Sequence, residues 1–402
     1  MNKKSIVLMI PQLRHGGAER VVSRLSFLLR DYFDISVVVF DKENITYDLG
    51  CDIISLDITP LSNFNIIKAV KNLVQRVYLY KKIKKSKKID ITYSFGDSAN
   101  LVNVLSGNID RKVVSIRGYK RVRDEKGAIN KLVLRPISRF IYNESDSIIT
   151  VSEVISHKIS NIYGIDRNKI ITLYNGYDLS NIRMLCKEKV CTKDHRLFSN
   201  SNVFITAGTF RSEKGYWHLL KSFSLVRKKD DRVKLYILGE DYREYKSKVI
   251  NLIKLLGIEQ DVILGGYQHN PYKFFAKSMC YVLSSTSEGF PNALVEAMSC
   301  GLPVISSDCK SGPREIISPS SSIESICNGV ELCEFGILVK PMNPIEIWNP
   351  DLIEDCDEEL ARAMILIKDN SILRSKYSSQ SLLRSEQFNY DVWLEKHLQV
   401  LR

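Results

Sequence analysis

Short apolar runs alternate with amphipathic stretches along this chain; the alternation breaks once and then resumes. No other feature limits the fold as strongly. In the first half the apolar runs are residues 5–11, 35–40, 52–56, 89–95, 112–116, 147–151 and 170–173. Their length and bounding residues read as buried strands. Between the first two, residues 18–29 set Val21, Val22, Leu25, Leu28 and Leu29 at helical spacing. Strand–helix–strand alternation implies a mostly parallel sheet with helices on both faces. Residues 176–202 are polar, charged and aperiodic, and read as a linker. The alternation then restarts with runs at 203–207, 233–238, 262–264, 279–283, 303–306 and 336–339. A helix over 215–227 shows Leu219, Phe223 and Val226 on one face. The expectation is an α/β chain of two tandem Rossmann-like domains with an interdomain cleft. Their bounds are 1–180 and 203–380, joined by a linker over 181–202. The last stretch, 381–402, holds an amphipathic segment at 390–398 expected to pack back on the first domain.

Composition agrees with that reading. At 402 residues the chain exceeds one ordinary core, and 44% hydrophobic with 26% charged residues is the balance of a globular protein. No apolar run approaches bilayer length. The stretch Ile6 to Ile10 is too short for a secretory leader and reads as the first strand. Nine cysteines without paired short spacing suit reduced thiols in a cytosol. The one D-x-D match, Asp355-Cys356-Asp357, sits in an acidic stretch with no strand before it. It reads as a solvated face, and no metal site is expected.

Four loops carry chemistry. The first is Arg14-His15-Gly16-Gly17, between the first strand and the first helix. Its glycines allow close backbone approach at a helix N-terminus, and a plain tight turn explains them equally well. The second, Gly208-Thr209-Phe210-Arg211-Ser212-Glu213-Lys214-Gly215, places two cations three residues apart at a strand's carboxyl end. Fixed positive charge there suits an anionic leaving group. The third is Glu288-Gly289-Phe290-Pro291-Asn292 followed by Glu296. Pro291 suits a helix start and Gly301 the position past its end. Glu288 then lies on a loop whose free amides and helix dipole attract anions, and Glu296 lies on the helix among apolar neighbours. The fourth, residues 307–316, is either helix-start chemistry or a ligand loop.

Taken together, these residues resemble the retaining glycosyltransferases of family 4, which have the GT-B fold. The resemblance spans nearly the whole chain. It includes Gly16-Gly17, Val151-Ser152, Asn175-Gly176-Tyr177-Asp178, the Arg211/Lys214 pair and the Glu288-x7-Glu296 run. Ser311-Gly312-Pro313-Arg314-Glu315-Ile316 is similar to segments of transferases that build bacterial surface polysaccharides and lipid-linked oligosaccharides. The resemblance implies a catalytic set of Glu288, Arg211 and Lys214, with the two cations on the donor diphosphate. It implies donor contacts from Gly16, Gly17, Gly208, Gly289, Phe290, Pro291 and Asn292, with Glu296 on the ribose and Tyr267 along the base. Acceptor contacts would come from His15 and Arg117; Arg117 stands where many relatives carry histidine. The implied reaction moves a hexose or N-acetylhexosamine from a UDP-sugar to a glycan or polyprenyl-linked glycan, with retention. No cofactor or metal is expected.

Residues 1–180 carry 29 basic and 18 acidic side chains, whereas the remainder is nearly neutral. The run Lys81, Lys82, Lys84, Lys85, Lys87 and Lys88 follows an amphipathic stretch over 66–80. Such clusters are drawn to anionic leaflets. The expectation is a cytoplasmic protein peripheral on the inner membrane face, with no nucleic-acid partner. Two rival readings stand: a nucleotide-sugar epimerase of the same fold, and a basic scaffold binding membrane or nucleic acid.

Overall fold

The computed structural model describes residues 3–14, 16–43, 45–59, 66–118, 134–242 and 244–402. The chain divides into two compact units, Met1–Asn175 with Leu394–Arg402, and Gly176–Trp393. In the first, β1 (Ser5–Ile10), α1 (Gly17–Leu29), β2 (Asp34–Val39), β3 (Asp52–Ser55), α2 (Ile66–Lys87) and β4 (Ile91–Phe95) follow in order. Then come α3 (Asp97–Leu105), β5 (Arg111–Ile116), α4 (Arg135–Glu144), β6 (Ser147–Thr150), α5 (Glu153–Tyr163) and β7 (Ile170–Thr172). The sheet order is β3-β2-β1-β4-β5-β6-β7, all parallel. Ile6 through Ile10 are all buried, as a central parallel strand covered on both faces requires.

The second unit begins with α6 (Leu179–Leu185) and α7 (Thr192–Asn200). The stretch expected to be a linker therefore holds two helices. Asp178 caps the first, accepting the Asn181 N–H at 2.9 Å, and its apolar positions Leu179 and Ile182 are buried. Next are β8 (Asn202–Ala207), α8 (Tyr216–Lys229), β9 (Val233–Leu238), α9 (Tyr245–Leu255), β10 (Val262–Gly266), α10 (Tyr272–Phe275) and β11 (Cys280–Leu283). Then follow α11 (Asn292–Ser299), β12 (Val304–Ser307), α12 (Pro313–Ile317), β13 (Val330–Leu332) and β14 (Ile337–Val339). The chain continues with α13 (Asp355–Asp369), α14 (Ser371–Glu386) and α15 (Tyr390–Leu401). The order is β10-β9-β8-β11-β12-β14-β13. Every pairing is parallel except β13 with β14, an antiparallel edge strand that the apolar pattern did not reveal. The end of α15, from Leu394, belongs to the first unit, where His397 and Leu401 are buried.

Two expectations about charge change with the structure. Helix α2 runs through the lysine cluster instead of ending before it. Arg76, Tyr80 and Lys84, spaced by four, form its buried face. Lys84 is fully buried, its Nζ 2.6 Å from Asp110 Oδ1 and 3.2 Å from the Asn103 carbonyl. It is therefore part of the core and not of a surface cluster. Asp355-Cys356-Asp357 is not a solvated face either. Asp355 is exposed, but Cys356 and Asp357 are buried at the start of α13.

Candidate active site

Among their parallel strands both sheets reverse strand order, between β1 and β4 and between β8 and β11. Loops that leave the carboxyl ends of such neighbouring strands splay apart and open a crevice. In the second unit these are the loops after β8 and β11, which contain the second and third candidate motifs.

The β8 loop ends in a tight turn over Ser212–Lys214, and Gly215 has φ +60°. A Cβ on Gly215 would lie 2.2 Å from the Ser284 carbonyl, so glycine lets the two loops touch. Ser284 Oγ donates to the Lys214 carbonyl at 2.9 Å, and the Thr286 N–H to the Glu213 carbonyl at 2.8 Å. These bonds bring Lys214 Nζ to 2.7 Å from Glu288 Oε1, which also accepts from Ser285 Oγ at 2.6 Å. Lys214 is 27% and Glu288 12% exposed, so the pair is reachable yet partly shielded from water. The Lys214 stem crosses Gly208, 3.1 Å from where a Cβ would stand. Arg211 lies exposed on the same loop, its guanidinium 4.0 Å over the Tyr242 ring.

The β11 loop enters α11 through Pro291. Phe290 and Pro291 are buried, and Asn292 Oδ1 accepts from the Tyr177 hydroxyl at 2.6 Å. The amides of this first turn point out of the helix and carry its positive dipole end. Glu296 is 7% exposed on the second turn. Gly301, with φ +73°, ends the helix as expected. The fourth motif braces this loop: Ser311 Oγ donates to the Gly289 carbonyl at 2.7 Å, and a Cβ on Gly312 would lie 2.5 Å from Pro291 Cδ. Arg314 is committed to protein, donating to Asp308 at 2.7 Å and Glu331 at 2.9 Å. Of the two readings of residues 307–316, the structure favours scaffolding.

Tyr267, 57% exposed, follows β10, two strands from β8. Its loop is tied in by the Gly239 N–H donating to Gly266 at 2.9 Å, while Gly208 donates to Leu238 at 2.9 Å. In the first unit, Gly17 opens α1, and the Gly16 carbonyl accepts from the Tyr47 hydroxyl at 3.2 Å. Arg117 follows β5 and donates to the Asn175 side chain. His15 lies outside the described residues. Sequence reasoning gave no role to Tyr177 or Ser285. Tyr177 was legible only as part of the Asn175–Asp178 run, and a serine three residues before Glu288 carries no signal of its own.

The comparisons agree with this geometry. Residues 15–181 match the family model described as Glycosyltransferase Family 4, and residues 190–330 match that of glycosyl transferases group 1. The chain is 32% identical to an uncharacterized glycosyltransferase of Methanocaldococcus jannaschii, over 79% of this chain and 80% of that one. It is 28% identical, over 95% of both chains, to the N-acetylgalactosamine-N,N'-diacetylbacillosaminyl-diphospho-undecaprenol 4-alpha-N-acetylgalactosaminyltransferase of Campylobacter jejuni. Anabaena HepE, solved in complex with UDP, superimposes with a TM-score of 0.73 at 17% identity, covering 99% of each chain. With two mainly parallel sheets, each with its loop-built crevice edge, and these matches along both halves, the chain belongs to the glycosyltransferases of the GT-B fold, resembling those that build bacterial polysaccharides and lipid-linked glycans.

Proposed function

We propose that this glycosyltransferase moves a hexose or N-acetylhexosamine from a UDP-linked donor to a glycan or polyprenyl-linked glycan, with retention and without a metal at the diphosphate. The observation that carries the reading is the Lys214–Glu288 pair at the strand-order reversal, beside the amides that open α11. Lys214, with Arg211 from the same loop, supplies positive charge where the leaving diphosphate gains negative charge. The N–H groups of Gly289, Phe290 and Asn292 supply fixed dipoles for the same charge. Glu288 exchanges its bond to Lys214 for donor sugar hydroxyls, and Glu296 takes the ribose. The acceptor hydroxyl attacks from the leaving group's own face, and a phosphate oxygen receives its proton. The UDP in the Anabaena structure and the lipid-diphosphate acceptor in the Campylobacter enzyme's name support this choice of donor and acceptor.

The outer face of α2 supports peripheral docking on an anionic leaflet. Ile67, Val70, Val74 and Tyr78 are exposed at helical spacing, and Lys81, Lys82 and Lys85 continue the same stripe. Among the described residues no helix is long and apolar enough to cross a membrane.

Thermal unfolding with a panel of nucleoside diphosphates, in one fixed EDTA concentration, tests the donor. UDP at 100 times its dissociation constant should add about 2.7 kcal/mol against the EDTA blank. Glu288→Gln and Lys214→Ala should fold yet lose about 10²–10³ in kcat, the size of losing one charge-stabilising group. A folded chain that responds to no nucleotide overturns the reading.

A further inference from the structure

We propose that His218, Glu354, Cys356 and Asp357 form a structural site for zinc or a similar transition-metal ion, separate from the sugar-transfer site. His218 lies in the first turn of α8, and the other three lie at the start of α13. The side chains of His218 and Asp357 are fully buried, and Cys356 is 4% exposed. His218 Nδ1 stands 3.7 Å from Cys356 Sγ, 3.9 Å from Glu354 Oε2 and 2.6 Å from Asp357 Oδ1. The histidine, glutamate and cysteine donor atoms all lie within 4.8 Å of one another. Ligands bound to zinc at 2.0–2.3 Å in a tetrahedron are separated by about 3.3–3.8 Å. The nitrogen-to-sulfur and nitrogen-to-glutamate gaps are therefore already near the required edges. Asp357, hydrogen-bonded to the imidazole at 2.6 Å, would complete the four by giving up that bond and turning toward the other three donors.

The surroundings are those that metal ligands need. The Asn343 carbonyl stands 2.9 Å from His218 Nε2. A carbonyl only accepts, so Nε2 carries a hydrogen; Nδ1, which here donates to Asp357 Oδ1, is the atom turned to the cluster, and an ion bound to it would replace that hydrogen. The Asn343 side chain donates to Glu354 Oε1 at 2.7 Å, which leaves Oε2 facing the cluster. Glu354 Oε2 is buried and has no hydrogen-bond partner, a costly state that an ion would relieve. Two carboxylates and a thiolate around a divalent ion leave one excess negative charge. The fully buried Lys221, one turn further along α8, supplies the opposite sign. A mixed imidazole, thiolate and carboxylate set selects zinc-like ions over magnesium or calcium. The ligands sit as E-x-C-D plus a distant histidine, which matches no paired-cysteine pattern. Bound there, the ion would pin the first turn of α8, which begins directly after the Arg211–Lys214 loop, to the start of α13.

Cobalt(II) substitution tests the site without reference to sugar transfer. The full chain, stripped with dipicolinate and kept reduced, is titrated with Co(II). The expected result is one equivalent bound, with a thiolate-to-cobalt charge-transfer band and the intense visible bands of tetrahedral Co(II). Zinc should displace the cobalt and raise the melting temperature. Cys356→Ser should lose the charge-transfer band. If that variant does not fold, Glu354→Gln, at a partly exposed position, should bind Co(II) at least tenfold more weakly. A missing band, a band that survives in Cys356→Ser, or a melting temperature indifferent to zinc would overturn the proposal. Because UDP binding is measured separately, its failure would bear on the donor site alone.

Discussion

At the scale of single residues, neighbouring lysines on α2 do opposite jobs. Lys84 is paired with Asp110 inside the first unit, whereas Lys81, Lys82 and Lys85 are exposed. Removing one member of a buried pair leaves the other charged and alone, so Lys84→Ala should cost about 3–5 kcal/mol in denaturant unfolding. Lys81→Ala, Lys82→Ala and Lys85→Ala should change stability by less than about 0.5 kcal/mol, as surface substitutions do. Each should instead weaken sedimentation with anionic vesicles, by about 1 kcal/mol per charge, and leave neutral vesicles unaffected. The sequence showed the six lysines as one cluster because composition carries no helical phase. Only the continuation of α2 to Lys87 fixes which lysine turns inward. Glu288 and Lys214 were legible as candidate-site residues for the opposite reason. Each stands beside glycines at a strand end, where the chain's own punctuation marks a loop.

At the scale of elements, the crevice edge of the second unit depends on loops held against loops. Gly215→Ala forces a Cβ to 2.2 Å from the Ser284 carbonyl at a positive φ. It should lower stability by at least about 1 kcal/mol and weaken UDP binding in the same variant, read by calorimetry. Arg314 ties the β12 loop to β13 through Glu331. The hydrogen bonds from Arg314 hold the Glu331 carboxyl below its ordinary value of 4.5, with burial opposing. A depressed carboxyl contributes stability above its unfolded value and loses that contribution as pH falls through its folded one. The stability difference between the wild type and Glu331→Gln should therefore shrink as pH drops below about 4.5, in unfolding midpoints taken from about pH 6 to about pH 3. The parallel strands were legible as apolar runs bounded by turns. The antiparallel β13 was not, because Val330-Glu331-Leu332 alternates over only three residues. Helices α6 and α7, of seven and nine residues, were missed because each is too short to show a periodicity, and caps or packing decide such segments.

At the scale of the whole molecule, the first unit is discontinuous. It takes residues 3–175 and then residues 394–402, more than two hundred positions later. That segment is bound into it: Leu401 and His397 are buried, the His397 ring lies 6.1 Å from Tyr93, and Lys4 Nζ donates to the Arg402 carbonyl at 2.8 Å. Leu401→Ala should cost about 2–5 kcal/mol, and the loss should appear in the unfolding of the first unit, followed by hydrogen exchange of β1 and β4. On a ribosome, chains emerge from the amino end and domains tend to fold in that order. Here a segment made earlier cannot seal its core until one made more than two hundred residues later arrives. The second unit, contiguous from Gly176 to Trp393, can finish first, and the unit made first is left waiting with apolar surface uncovered. Nascent chains halted before residue 394 should therefore be the form most exposed to proteases and most dependent on chaperones.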